Sequence, residues 1–212
     1  MKQTEVSRAT IGRLPGYLKY LKEASHDSEN ISATTLARRL GLGEVQVRKD
    51  LGAVSGAGRP KTGYNIRELI AVLEGYLGMN RAGCVVLVGA GKLGRALLDY
   101  TGFLDYGLEI AAAFDTAVAE PQRIHSGKPI YPMEQFDGFC RAHAVRIGVI
   151  AVPAFQAQPV CDRLVKNGAQ GIWCFAPCTL TVPENIPVQY ENMGLSLAYL
   201  NQKIHDTERK CV

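Results

Sequence analysis

The 212-residue sequence predicts an α/β protein in two parts, short helices first and then a parallel sheet with helices on both faces. Three observations predict it. Apolar residues recur at helical spacing through the first 80 residues. From Cys84 onward, continuous apolar runs of strand length such as "CVVLV" alternate with amphipathic stretches. The chain then closes on "NMGLSLAYLNQKI", where Met193, Leu197, Leu200 and Ile204 form an apolar stripe on a terminal helix. The expected divisions are 1–79, 80–190 and 191–212.

The elements follow in order. "TIGRLPGYLKYLKEAS" sets Leu14, Tyr17, Leu18 and Leu21 at helical spacing, with Pro15 and Gly16 expected near the first turn. "SATTLARRLG" runs from an N-cap at Ser32 to a stop at Gly41. After a turn on Gly41 and Gly43 comes "GEVQVRKDLGAV", with Val45, Val47, Leu51 and Val54 as its apolar residues. Two helices joined by a glycine turn make a helix-turn-helix. The loop "SGAGRPKTGY" has the length of a wing, and "IRELIAVLEGYLG" is a linking helix ended by Gly78. A winged-helix domain is therefore expected.

Charge points to what that domain binds. Residues 1–80 hold twelve Lys/Arg against eight Asp/Glu, whereas residues 81–212 hold twelve of each. Within 30–67, Arg38, Arg39, Arg48, Lys49, Arg59, Lys61 and Arg67 face only Glu44 and Asp50. A basic patch beside a neutral remainder suits a polyanion at the first part alone. Gln46, Arg48 and Lys49 stand near the start of the third helix, where side chains meet base edges and phosphates in the major groove. Arg59, Lys61 and Tyr64 belong to the wing, within reach of phosphates or a narrow A·T-rich minor groove.

"VVLVGAGKLGRAL" contains Gly89-x-Gly91-x-x-Gly94 between a strand and a helix, and Asp115 follows at the end of the next apolar strand. Gly89 permits the tight turn, Gly91 lets backbone approach a pyrophosphate, and Gly94 lets helix pack on strand. With Ala90, Lys92 and Leu93 the turn presents a helix N-terminus to negative charge. A carboxylate at Asp115 bonds ribose hydroxyls and repels a 2′-phosphate, favouring NADH or NAD+ over the phosphorylated forms. The expected second part is thus a Rossmann-like dinucleotide-binding domain.

Hydride chemistry needs an acid–base partner near the nicotinamide. His26, His125, His143 and His205 form no such constellation, so no catalytic residue is expected. The competing reading is an NAD-dependent oxidoreductase with a basic appended domain. No apolar run approaches the ~18 residues of a membrane span, and the N-terminus lacks the apolar core of a signal peptide. The six cysteines include no CxxC pair. A cytoplasmic protein with reduced cysteines, no membrane partner and no metal is expected. Cys174 and Cys178 remain a candidate thiol sensor.

Together, "TIGRLPGYLKYL", "VQVRKDL", "GAGKLGRALLDYTGF", "AAFD", "VPAFQAQ", "FAP" and the final helix resemble the Rex family of redox-sensing transcriptional repressors over essentially the whole chain. The resemblance implies a homodimer binding palindromic, A·T-rich double-stranded operator DNA, released by NADH and permitted to bind by NAD+. It further implies that Tyr100, Ala151, Val152, Pro153, Phe175, Ala176 and Pro177 surround the nicotinamide half. The terminal helix would be swapped between subunits, with Met193 approaching the partner's nicotinamide. Departures are the wing, Ala151 where relatives often carry Thr, Cys178 where an aliphatic residue is expected, and Asn192. Some relatives pair an arginine corresponding to Arg13 with an aspartate at position 192.

Overall fold

The computed structural model describes residues 6–60, 62–80 and 83–210. It divides into two compact units, one of residues 1–81 with 102–108, the other of 82–101 with 109–212. The short segment 102–108 therefore packs with the first unit although it follows the first sheet strand in sequence.

The first unit is a helical domain with a two-stranded ribbon. Helix α1 spans Arg8–Ala24 and is capped by Ser7, whose hydroxyl accepts from the Thr10 amide at 3.2 Å. It begins well before Pro15, which lies inside the helix rather than in its first turn. Strand β1 (Asn30–Ile31) leads into α2 (Ala33–Leu40), which starts at the Ser32 cap and stops at Gly41 with φ +65°. After α3 (Glu44–Ser55), strand β2 (Tyr64–Asn65) pairs antiparallel with β1, and α4 (Ile66–Leu77) closes the unit. Arg59 and Gly63 exchange backbone hydrogen bonds at 2.8 and 2.9 Å, which folds the wing into a tight hairpin.

Leu14, Tyr17, Leu21, Leu36, Val47, Leu51, Ile66 and Leu73 form the core of this unit. Of the apolar residues of α3, Val45 is 82% exposed, whereas Val47 and Leu51 are buried. Residues two apart on a helix point about 200° away from each other, so Val45 and Val47 cannot share a face. The face that does bury follows the i, i+4 and i+7 positions Val47, Leu51 and Val54.

The second unit holds β3 (Cys84–Val88), α5 (Lys92–Asp99), β4 (Ile110–Asp115), β5 (Gln122–Arg123) and β6 (Pro129–Pro132). Helix α6 (Phe136–Ala142), β7 (Val145–Ile150), α7 (Ala154–Lys166), β8 (Gly171–Cys174), β9 (Val188–Tyr190) and α8 (Met193–Lys210) follow. The sheet order is β5-β6-β4-β3-β7-β8-β9, parallel throughout except for the short β5 at one edge. Strands β5, β6 and β9 and helix α6 escape sequence reading, being short or lacking a clear apolar period. Phe114 anchors the core, meeting the rings of Phe136 and Phe139 edge-on at 5.0 and 5.3 Å. Cys140, Cys161 and Cys174 are buried, Cys84 and Cys178 half-buried, and all five are free thiols. On α8, Met193, Leu195, Leu197, Tyr199, Leu200 and Ile204 are each more than half exposed.

Candidate functional site

The chain leaves β3 through the glycine turn and moves outward to β4 and β6, then returns to β7 on the opposite side of β3. That reversal opens a crevice beyond the carboxyl ends of β3 and β7, where open parallel sheets bind ligands. Each glycine there has a distinct physical reason. Gly89 lies at φ +101°, and a Cβ on it would stand 2.5 Å from the Ala151 carbonyl oxygen and 2.9 Å from Val152. Gly94 in the first turn of α5 backs directly onto the Gly89 carbonyl. Gly91 has nothing within 4 Å of a Cβ, so space remains there for a ligand against the backbone.

Asp115 is held in place by the same turn. The Ala90 amide donates to its Oδ2 at 2.6 Å and the Ala117 amide to its Oδ1 at 2.8 Å. Each carboxylate oxygen keeps a second lone pair for a ribose hydroxyl. Arg95, absent from the sequence expectations, donates from Nε to the Ala90 carbonyl at 2.9 Å and brings a cation to the turn. Its position four residues after Gly91 was the available signal. Lys92 is exposed and Leu93 half-buried at the start of α5.

The next two loops lie alongside. The Ala151 amide donates to the Val88 carbonyl and the Phe175 amide to the Ile150 carbonyl, each at 2.9 Å. This sets Ala151–Pro153 and Phe175–Pro177 at the ends of adjacent strands. Phe175, Ala176, Pro177 and Met193 line one open crevice of about 620 Å³, which Cys178 also borders. Tyr100 caps the far end of α5, about 13 Å along the helix axis from Gly91.

In the first unit, Arg48, Lys49 and Gln46 are exposed on the first turns of α3. Arg48 is tied to Glu44 one turn back. Arg48, Arg59 and Tyr64 border a crevice of about 570 Å³ with Ser32–Thr34 at the α2 N-terminus. Tyr64 is half-buried, with its ring against Gly58. Lys61 lies outside the described residues. Asp50 is only 1% exposed. It accepts from Arg13 Nε at 2.6 Å and Nη2 at 2.9 Å, Tyr17 at 2.7 Å, Gln46 at 2.8 Å and Thr10 at 3.1 Å. Burial alone would raise this carboxyl's pKa, but the four donors outweigh it and hold it down at about 2. Arg13 thus has an aspartate partner within its own unit.

A winged helix and a Rossmann-like nucleotide fold on one chain define a nucleotide-linked DNA-binding regulator. The comparisons agree. A putative DNA-binding protein N-terminus model matches residues 5–52, and a CoA binding domain model matches 80–178. A redox-sensing transcriptional repressor Rex from Treponema denticola is 36% identical over 200 residues, covering 94% of this chain and 95% of that protein. The solved structure of RSP with β-NAD+ and operator DNA is 32% identical, with TM-score 0.77, and the match covers 97% of this chain and 95% of that one. RSP with β-NADH is 31% identical at TM-score 0.67, the match covering 97% of both chains. The chain belongs to the Rex family of redox-sensing transcriptional repressors.

Proposed function

We propose that this chain is a transcriptional repressor that reads the balance of NADH and NAD+, binding operator DNA as a homodimer and leaving it when NADH binds. The observation that carries this reading is the pairing, on one Rex-family chain, of an open glycine turn with an anchored Asp115 and a basic winged helix. Gly89–Gly94 hold the pyrophosphate, Asp115 the adenine ribose, and the loops 151–153 and 175–177 the nicotinamide half. A carboxylate at the ribose disfavours any adenine nucleotide phosphorylated there, so a dinucleotide fits better than coenzyme A. Gln46, Arg48, Lys49, Arg59, Lys61 and Tyr64 form the DNA-contacting set.

Divisions at 79/80 and 190/191 separate DNA-binding, NAD(H)-binding and exchanged-helix segments in this reading, and the protein acts in the cytoplasm. A swapped α8 accounts for its uncovered apolar side chains and brings Met193 to the partner subunit's nicotinamide, and Tyr100 belongs to the nicotinamide half. NADH must bind the released state better than the DNA-bound state, because equal affinity for both shifts nothing.

The test is binding to a fluorescent A·T-rich palindromic duplex at fixed salt, with NADH or NAD+ added. The expected result is sequence-selective binding abolished by NADH and not by NAD+. Selective binding indifferent to both nucleotides overturns the sensor half. Absence of binding, beside normal NADH affinity, overturns the repressor half and favours the oxidoreductase.

A further inference from the structure

The Asp50 cluster does more than the packing of two helices requires. Arg13, Thr10 and Tyr17 join it from α1, and that side alone would satisfy a buried carboxylate. Gln46, one turn earlier on the exposed start of α3, is the remaining donor, through Nε2 at 2.8 Å to Oδ1. An ionised carboxylate only accepts hydrogen bonds. The Gln46 amide therefore turns its NH2 toward Asp50 and its Oε1 away, and the opposite orientation would set two acceptors against each other. One N–H of the NH2 group is consumed. The second N–H and Oε1 remain, a donor and acceptor side by side. That pair matches the adenine edge in the major groove, where N7 accepts and the N6 amino group donates.

We infer that Asp50 is a positioning residue for sequence readout, fixing the Gln46 side chain as an adenine reader before DNA arrives. This rests on the proposed DNA-binding function and deepens it. Asp50 does not touch DNA, and it acts only through the amide it orients. A free glutamine samples many rotamers and both amide orientations, and ordering it on binding costs free energy. Here the fold has already imposed the order. The cation beside it, Lys49, contributes affinity without that geometric demand.

The experiment is selection from a pool of duplexes in which each position of a palindromic A·T-rich site is randomised, followed by sequencing. Melting temperature and NADH affinity are measured on the same variants. The wild type should prefer adenine about tenfold or more at one position of each half-site. Gln46→Ala should erase that preference and no other. Asp50→Asn, whose own amide lets Gln46 turn either way, should erase the same preference while other positions and NADH affinity persist. Tyr17→Phe removes a cluster bond but leaves the carboxylate ionised, so it should lower the melting temperature and keep the preference.

Persistence of the adenine preference in Asp50→Asn overturns the inference, as does its equal loss in Tyr17→Phe. If Asp50→Asn does not fold, Gln46→Glu decides. Repelled by Asp50, the new carboxylate should give no preference at that position. A switch to cytosine there would show a side chain reading DNA independently of Asp50. A wild type without any sequence selectivity would instead overturn the DNA-binding reading itself.

Discussion

Asp50 ties stability to pH in a direction its surroundings dictate. Its pKa falls from 3.8 to about 2 in the folded protein. A depressed carboxyl contributes fully above its unfolded pKa and loses that contribution as pH falls through the folded value. The contribution is on the order of 2 kcal/mol, lost between about pH 4 and 2. Denaturant midpoints for wild type and Asp50→Asn should therefore lie far apart at pH 6 and converge toward pH 2. Asp115 carries a separate expectation. Asp115→Ala removes the proposed ribose ligand and should lower NADH affinity about tenfold or more while sparing duplex binding, checked by fluorescence titration. Val45, exposed beside Gln46 and Arg48, suits apolar contact with a thymine methyl. Val45→Asp adds a negative charge there and should weaken duplex binding with an unchanged melting temperature.

At the scale of elements, α3 and α8 carry the two proposed contacts with other molecules. Helix α8 presents its large apolar side chains uncovered from Met193 to Ile204. Most helical stability in proteins comes from packing an apolar face, so the exposed apolar face of α8 suits a partner surface. Leu197→Glu combined with Leu200→Glu should turn the dimer into a monomer in sedimentation experiments. It should also abolish tight binding to a palindrome, whose half-sites lie about 34–36 Å apart and need two linked recognition helices. The glycine turn is the opposite case, an element made rigid by close contact. Gly94→Ala forces a Cβ onto the Gly89 carbonyl, so loss of NADH binding should accompany a lower melting temperature.

For the whole molecule, coupling between the nucleotide and DNA sites is a reciprocal free energy. If NADH lowers duplex affinity by some factor, duplex must lower NADH affinity by the same factor, about 5–150-fold for a coupling of about 1–3 kcal/mol. Titrating NADH with and without saturating duplex measures this directly. Identical NADH affinity in both titrations would exclude the two-state account.

Much of this was legible in the sequence because it is local. Gly89, Gly91 and Gly94 are dictated by backbone approach over a few residues, and the caps at Ser32 and Gly41 by helix ends that lack hydrogen-bond partners. The family motifs, spread along the chain, carried the rest of the functional expectation. What only tertiary structure decided involves residues far apart in sequence or on different faces. Arg13, Thr10 and Tyr17 converge on Asp50 because α1 packs against α3, and no spacing announces it. Val45 and Val47 look alike in sequence, yet helix geometry exposes one and buries the other. Tyr100 lies close to Gly94 in sequence but at the far end of α5. The sequence by itself determined the elements that carry a clear apolar period and the nucleotide chemistry that the glycine turn and Asp115 suit. The fold decided which side chains reach the sites, because burial and reach depend on how elements pack together.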